Sequence, residues 1–345
     1  MTESATEASG MGSEVALDHP LVSVVVPVHG RADYLETTLG AIRDQTYQPI
    51  EVVIVNERAV GDLASRVNRI LPGAVILDST GPGPGTARNS GLARATGQFV
   101  AFLDCDDVWL PEFVSALVQA LTASPSAGFA GCTFVQFDKR GPRAVRPVRR
   151  TKPGQDAVRS ILIEYMFPPS VVLSRRDVVD RIGGWGDYDA NEDRVFFGRM
   201  AVAAPFVHVD RSLALYRLHQ DSRSQHGPAV DPYSWYRAWR RANATVLSEI
   251  ESSPRKTRLE RDLDAIAPRV TAQFHLIAGN RRSAIRAGLK AVRLAPTARE
   301  PYFVMVRAIL GDRVARVVRR AFASPFPDDT EERVRRANQP MGSRS

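Results

Sequence analysis

One segment limits the folds open to this chain more than any other: Gln98-Phe-Val-Ala-Phe-Leu-Asp-Cys-Asp-Asp-Val-Trp-Leu-Pro111, an apolar run that stops on three carboxylates. The unbroken apolar stretch Phe99 to Leu103 suits a strand covered on both faces, as in a parallel sheet flanked by helices. Asp104, Asp106 and Asp107 then fall at its carboxyl end, where ligands bind in open α/β sheets. Carboxylates packed together repel, so something has to offset them. A divalent cation can do so. Asp104 and Asp106 alternate and can approach one ion together, and hard oxygen ligands suit Mg²⁺ or Mn²⁺. The alternative is an acidic loop in which Asp107 caps a helix that starts near Pro111.

The neighbouring sequence alternates in period. Leu21 to Val28 is another apolar run and predicts a strand buried on both faces. Leu35, Leu39 and Ile42 follow at helical spacing, Val52 to Val55 predicts a second strand, and Leu63, Val67 and Ile70 a second helix. Ala74 to Leu77 predicts a third strand, Phe99 to Leu103 a fourth, and Ser170 to Ser174 another further on. Strands separated by helices imply βαβ units and a mostly parallel sheet. The glycines of Gly81-Pro-Gly-Pro-Gly85 do not make a dinucleotide fingerprint, because they follow the third strand and carry two prolines.

Several short motifs occur in a fixed order along these elements. They are Val22-Ser-Val-Val-Val-Pro-Val-His-Gly-Arg-Ala-Asp-Tyr-Leu35, Gln45-Thr-Tyr47, Glu51-Val-Val-Ile-Val55, Thr86-Ala-Arg-Asn-Ser-Gly-Leu92, the aspartate run, Asn191-Glu-Asp193 and Tyr216-Arg-Leu-His219. In this order they make the chain, from about Leu21 to Ser224, resemble the inverting family 2 glycosyltransferases of the nucleotide-diphospho-sugar transferase superfamily. The resemblance implies a GT-A fold: a Rossmann-like, mixed, mostly parallel sheet flanked by helices. It implies direct displacement of a sugar from a nucleotide-diphospho-sugar, a UDP-sugar above all, onto an acceptor hydroxyl. Asp193 would be the general base, with Glu192 and Trp185 on the acceptor side. Asp106 and His219 would hold Mg²⁺ or Mn²⁺, while Pro27, Glu57, Arg88 and Asp104 would line the nucleotide site. The acceptor class is a growing glycan, a lipid-linked sugar or a small molecule.

Two departures from the family pattern touch the donor pocket. The family follows its second strand with Asp-Asp-Gly-Ser, whereas this chain reads Asn56-Glu-Arg-Ala59, which puts Glu57 in the place of the acid that reads the base. His29-Gly30 replaces the family's Tyr-Asn. A catalytically degenerate binding or scaffold protein is therefore the competing reading. A sugar nucleotidyltransferase is a third, and the Gly-rich start that it needs is absent after Val28.

Beyond about Gly227 the chain turns rich in Ala, Arg and Leu with helical periodicity. The expected organisation is a tail over 1–20, the GT-A domain over 21–226, a helical region over 227–325 and a tail over 326–345. Asn280 to Pro296 resembles the second helix of a tetratricopeptide unit, which cannot bury its own face and must dock on the domain. Tyr302 to Leu310 is apolar and Asp312 to Arg320 basic, a pattern of either a packed helix or an interfacial one. Lys139 to Lys152 carries seven basic residues and no acid, and predicts an exposed loop. The net charge of +8 brings no nucleic-acid motif with it, which leaves an anionic lipid surface or a phosphorylated acceptor as partner. Cys105 and Cys132 form no disulfide framework, and the first residues lack a signal peptide's apolar core. The expectation is a cytoplasmic protein, peripheral at the inner face of the membrane.

Overall fold

A computed structural model describes residues 19–30, 33–146, 156–164, 168–188, 190–219, 232–294, 296, 299–320 and 329–339. Strands β1 (Val22–Gly30), β2 (Ile50–Ala59), β3 (Val75–Asp78) and β4 (Phe99–Phe102) pair in parallel in the order β3-β2-β1-β4. Strands β5 (Val108–Trp109), β6 (Phe129–Asp138), β7 (Gly141–Arg146), β8 (Val172–Arg175) and β9 (Phe206–Arg217) continue the sheet as β4-β8-β6-β9-β5, with β7 beside β6. β8 is antiparallel to both β4 and β6, and β6 runs parallel to β9. The sheet is thus mixed, with one wholly parallel half, as the sequence implies.

Pro27 marks where that half opens. β4 pairs with β1 only from Val22 to Val25, and Val25 O takes the last bond, from Leu103 N–H at 3.0 Å. Two residues on, Pro27 has no N–H to offer toward β4, although it stays in register with Val55 of β2. A proline inside a sheet is tolerated where that side needs no partner. The strands part there, and a crevice lies beyond their carboxyl ends.

Helices α1 (Leu35–Arg43), α2 (Leu63–Asn68), α3 (Pro84–Arg94) and α4 (Phe113–Ala123) pack on the sheet. Helix α3 lies flush on β1 and β2 because Gly91 has no side chain: a Cβ there would come within 2.3 Å of Val25 Cγ1 and 2.9 Å of Val55 Cγ2. This seating brings Arg88 to the crevice.

Further helices are α5 (Ala157–Arg159, continuing through Glu164 as a π-helical turn), α6 (Arg176–Arg181), α7 (Glu192–Ala203), α8 (Pro232–Ser248), α9 (Pro254–Ile277), α10 (Arg281–Leu294), α11 (Arg299–Arg320) and α12 (Thr330–Asn338). The helical region is continuous with the sheet's core. Trp239, Val246, Ile250, Leu259, Leu263 and Val270 belong to the same buried cluster as β1 and β4. Helix α11 breaks at Gly311, whose φ of 83° only glycine adopts freely, where the apolar sequence gives way to the basic one. Among the described residues no helix is long and apolar enough to cross a membrane.

Two expectations need correction. Within Lys139 to Lys152, residues 141–146 are a strand hairpinned onto β6, with Arg143 Nε held 2.7 Å from Asp138 Oδ2; residues 147–152 lie outside the described set. The expected tail over 326–345 contains helix α12. Its Val334 and Ala337, one turn apart, are buried with Val108, Leu110, Val135, Phe137 and Leu215. Glu331 and Glu332 in its first turn and Arg335 and Arg336 in its last suit the helix dipole. Two apolar residues are a weak sequence signal, but they suffice to seat a short helix on a sheet. Residues 1–18 and 340–345 lie outside the described set.

Candidate active site

The three aspartates leave the end of β4 in three directions. Asp104 Oδ1 accepts from Arg88 Nη2 at 2.8 Å. Asp106 Oδ2 lies 2.6 Å from His219 Nε2. Asp107 turns inward: its Oδ1 accepts from the Arg217 N–H at 2.9 Å, and its carbonyl accepts from Thr38 Oγ1 at 2.7 Å. Asp107 therefore does not cap α4, which starts from Glu112 without a side-chain cap. Its Oδ2 is buried near Ser170 without a bond of ordinary geometry. Burial and the two neighbouring carboxylates push the Asp107 acid well above the usual aspartate range.

Asp104 and Asp106 are engaged by different partners, Arg88 and His219. A protein cation, Arg88, offsets the first of them. The Arg88 guanidinium is buried, with its Cζ 4.5 Å from the centre of the Trp185 ring, and its Nη1 reaches Glu192 Oε1 at 3.4 Å. Burial acts to lower its pKa, but Asp104, Glu192 and Asp193 hold it above the ordinary arginine value. Asp104 itself is raised, first by burial and against the pull of Arg88.

Asp193 opens α7. Asn191, just before the helix, sits in the left-handed region at φ 62°, where asparagine is among the residues that fit best. Asp193 Oδ1 accepts from the Arg194 N–H at 2.8 Å. The buried Arg194 side chain anchors this turn by donating to the carbonyls of Ile161 and Leu162 at 3.2 and 2.7 Å. Burial raises the Asp193 acid, while Arg88 and Arg194 draw it down. A carboxylate whose acid is raised by burial can accept a proton from a hydroxyl within hydrogen-bond reach.

Trp185 is only 3% exposed. Its ring stacks on Phe196 at 4.0 Å and meets Phe102 edge-on. It is the floor beneath Arg88 rather than an acceptor-side surface, which corrects the expectation for it. Glu192 is drawn to Arg88 and is likewise largely covered, at 13% exposure.

On the nucleotide side, Pro27 and Glu57 stand at the ends of adjacent strands. Glu57 Oε1 accepts from the Gly83 N–H at 2.6 Å, just ahead of α3, and its carbonyl lies 3.0 Å from His29 Nδ1. Asn56 ties β2 to β3 through Asp78 and receives the Ala59 N–H. The Asn-Glu-Arg departure thus folds into a defined bulge, with Arg58 at a φ of 58°. Cys105 is pushed far up by burial and stays a protonated filler.

Among the described residues no three His, Cys, Asp or Glu side chains gather as a metal cage. Asp106 and His219 nevertheless bring an oxygen and a nitrogen together, 28% and 19% exposed toward the crevice. Two protein donors fit an ion of the Mg²⁺ or Mn²⁺ kind that takes its other ligands from phosphate and water. Arg217 had no role in the sequence reading, although it lies inside a quoted motif. Its Nε donates to the Asp106 carbonyl at 2.9 Å, and the helix that it also grips is far away in sequence.

Residues 23–183 match the family model described as glycosyl transferase family 2. Over these residues, just under half of the chain, it is similar to that family. The chain is 27% identical over 221 residues to EpsH of Bacillus subtilis, covering 60% of this chain and 63% of EpsH. It is 25% identical over 208 residues to the amylovoran biosynthesis glycosyltransferase AmsE of Erwinia amylovora, covering 58% and 77%. The match thus spans under two thirds of EpsH. Among solved structures, S. aureus TarS in complex with UDP-GlcNAc superposes with a TM-score of 0.59 at 16% identity, over 88% of this chain and 93% of that one. The mannosyltransferase PcManGT from Pyrobaculum calidifontis, in complex with GDP-Man and Mn²⁺, superposes with a TM-score of 0.53 at 18% identity, over 92% and 86%. The fold is that of the GT-A glycosyltransferases.

Proposed function

We propose that this chain is an inverting glycosyltransferase that moves a sugar from a nucleotide-diphospho-sugar, a UDP-sugar first among them, to an acceptor hydroxyl. The observation that carries this reading is the gathering of Asp104, Glu192 and Asp193 around the buried Arg88 guanidinium at the carboxyl end of the parallel strands, with Asp104 on the same loop as Asp106, the partner of His219. Asp193 takes the proton of the acceptor hydroxyl as its oxygen bonds to the anomeric carbon and the bond to the diphosphate breaks. Arg88 keeps Asp104 and Glu192 in place and holds positive charge beneath the site where the donor lies. Asp106 and His219 hold a divalent cation, Mg²⁺ or Mn²⁺. Bound there, the ion supplies Lewis-acid stabilisation of the departing nucleoside diphosphate. Glu57, in register with His29 of β1, reads the base by accepting its ring N–H with the carboxylate oxygen that Gly83 leaves over.

The similarity to TarS and PcManGT, solved with UDP-GlcNAc and with GDP-Man and Mn²⁺, supports a donor and an ion of these kinds. AmsE, named for amylovoran biosynthesis, supports a glycan acceptor. The test is a transfer and hydrolysis assay over a panel of UDP-, GDP- and dTDP-sugars with Mn²⁺ or with EDTA. Turnover of one donor class that needs the ion, falling by about 10² to 10⁴ in Asp193→Asn with donor binding kept, is the expected result. Binding without turnover for every donor would favour the degenerate scaffold.

A further inference from the structure

We infer that Arg217 is a positioning residue that ties helix α12 to the aspartate loop, so that residues near position 338 set how Asp106 is presented. This rests on the proposed role of Asp106 at the ion.

Arg217 is 3% exposed, and each of its three side-chain nitrogens donates a hydrogen bond. Its main-chain N–H is bonded to Asp107 and its Nε to the Asp106 carbonyl, so one residue grips two successive members of the loop. Its other two nitrogens point the opposite way. Nη1 donates to Asn338 Oδ1 at 2.8 Å and Nη2 to the Ala337 carbonyl at 3.0 Å. Ala337 lies in the last turn of α12, where carbonyls lack helical partners and carry the negative end of the dipole. The guanidinium plane is held between two aromatic rings, with Cζ 4.1 Å from the Tyr34 centroid and 4.4 Å from that of Phe137. Tyr34 also touches the His219 ring, at 5.4 Å between centroids. Asp106, His219, Arg217 and α12 are therefore one contiguous assembly.

Its parts are mutually dependent. The guanidinium is buried, so its charge needs acceptors close by. Without α12, two of its nitrogens would lose their protein acceptors and the end of the side chain its cover. The side chain would then turn toward water, and the bond to the Asp106 carbonyl would go with it. Lysine cannot replace it, having one nitrogen on a flexible stem where two segments are bridged by a planar fork. Asn338 is held in turn by its Nδ2, which donates to the Asp138 carbonyl at 3.1 Å.

The test uses the full chain and the variants Asn338→Ala, Asn338→Asp and Arg217→Lys. Two readouts are taken: hydrogen exchange of the peptide spanning residues 103–108, without metal or nucleotide, and calorimetric titration of UDP with and without Mn²⁺. Asn338→Ala should speed exchange of the Asp106 and Asp107 amides while β1 to β4 keep their protection. It should lower UDP affinity in Mn²⁺ by about three- to tenfold, within the net range of one typical intramolecular hydrogen bond, and leave affinity without the ion unchanged. Asn338→Asp keeps the acceptor for Arg217 and loses the donor to Asp138, so it should restore both readouts. Arg217→Lys should match or exceed Asn338→Ala. Unchanged exchange in Asn338→Ala, an equal loss with and without Mn²⁺, or failure of Asn338→Asp to rescue would each overturn the coupling. A wild-type chain whose UDP affinity ignores Mn²⁺ would overturn the ion reading together with this inference. Altered exchange alone would then remain as a structural effect, which keeps the two failures apart.

Discussion

Asp193 and Asp106 have different proposed roles, and their variants should separate on different readouts. Burial raises the Asp193 acid, so its proton is retained to a higher pH than on an ordinary aspartate. A base must be ionised to work. Activity should therefore fall as pH drops through this raised value, and the acid limb of kcat/KM should lie above the usual aspartate range. In Asp193→Asn the small residual rate should lose that limb, and a pH profile of both proteins checks it. Asp106 adds to the charge that raises Asp104 and Asp107. Removing it relieves both neighbours, so Asp106→Ala should hold or gain thermal stability without ligand while losing transfer and any gain in nucleotide affinity from Mn²⁺. Differential scanning fluorimetry and calorimetry decide between this and a merely structural acid, for which the midpoint would drop. The acids of the site were legible in the sequence because they follow an apolar strand or open a helix. The sense of Trp185 was not: its ring is enclosed by Phe102 and Phe196 from separate elements, and only packing brings those together.

Among the elements, α3 does the most to place the site, and one missing side chain sets its height. Gly91→Ala would force a methyl into Val25 and Val55, at distances that real side chains do not adopt. The helix must lift, and Arg88 with it. The expected loss is about 1 to 3 kcal/mol in stability, the range for overpacking a closed core. Chemical denaturation measures it, and UDP affinity should fall in the same variant because Arg88 no longer reaches Asp104. An unchanged denaturation midpoint would mean that the helix slides at no cost. The alternation of strands and helices was readable from period alone, since buried parallel strands are continuous apolar runs. Helix α12 was not, because its partner surface on β6, β7 and β9 is assembled from segments far away in sequence, and two buried residues leave little periodic trace.

At the scale of the molecule, exposed cations and exposed apolar side chains occur together on two adjoining helices. The exposed positions of α10 are Arg281, Arg282, Arg286, Leu289, Lys290, Arg293 and Leu294, with no acid among them. Tyr302, Ile309 and Leu310 on the adjoining α11 are between 44% and 58% exposed. Such a face suits the headgroup region of an anionic membrane, each cation contributing on the order of 1 kcal/mol within a Debye length. The chain should sediment with phosphatidylglycerol vesicles at low salt, and much less with phosphatidylcholine or at high salt. The triple variant Arg282→Glu, Arg286→Glu, Arg293→Glu should stay in the supernatant; equal sedimentation of variant and wild type would point to a packing role for α10. The link between Arg217 and Asn338 also orders events in time. Arg217 leaves the ribosome 121 residues before its partner. A nascent chain can thus complete every strand of the sheet and carry every acid of the site while its aspartate loop is still unfastened. Such a chain should begin to bind nucleotide tightly only once the residues around 338 have emerged.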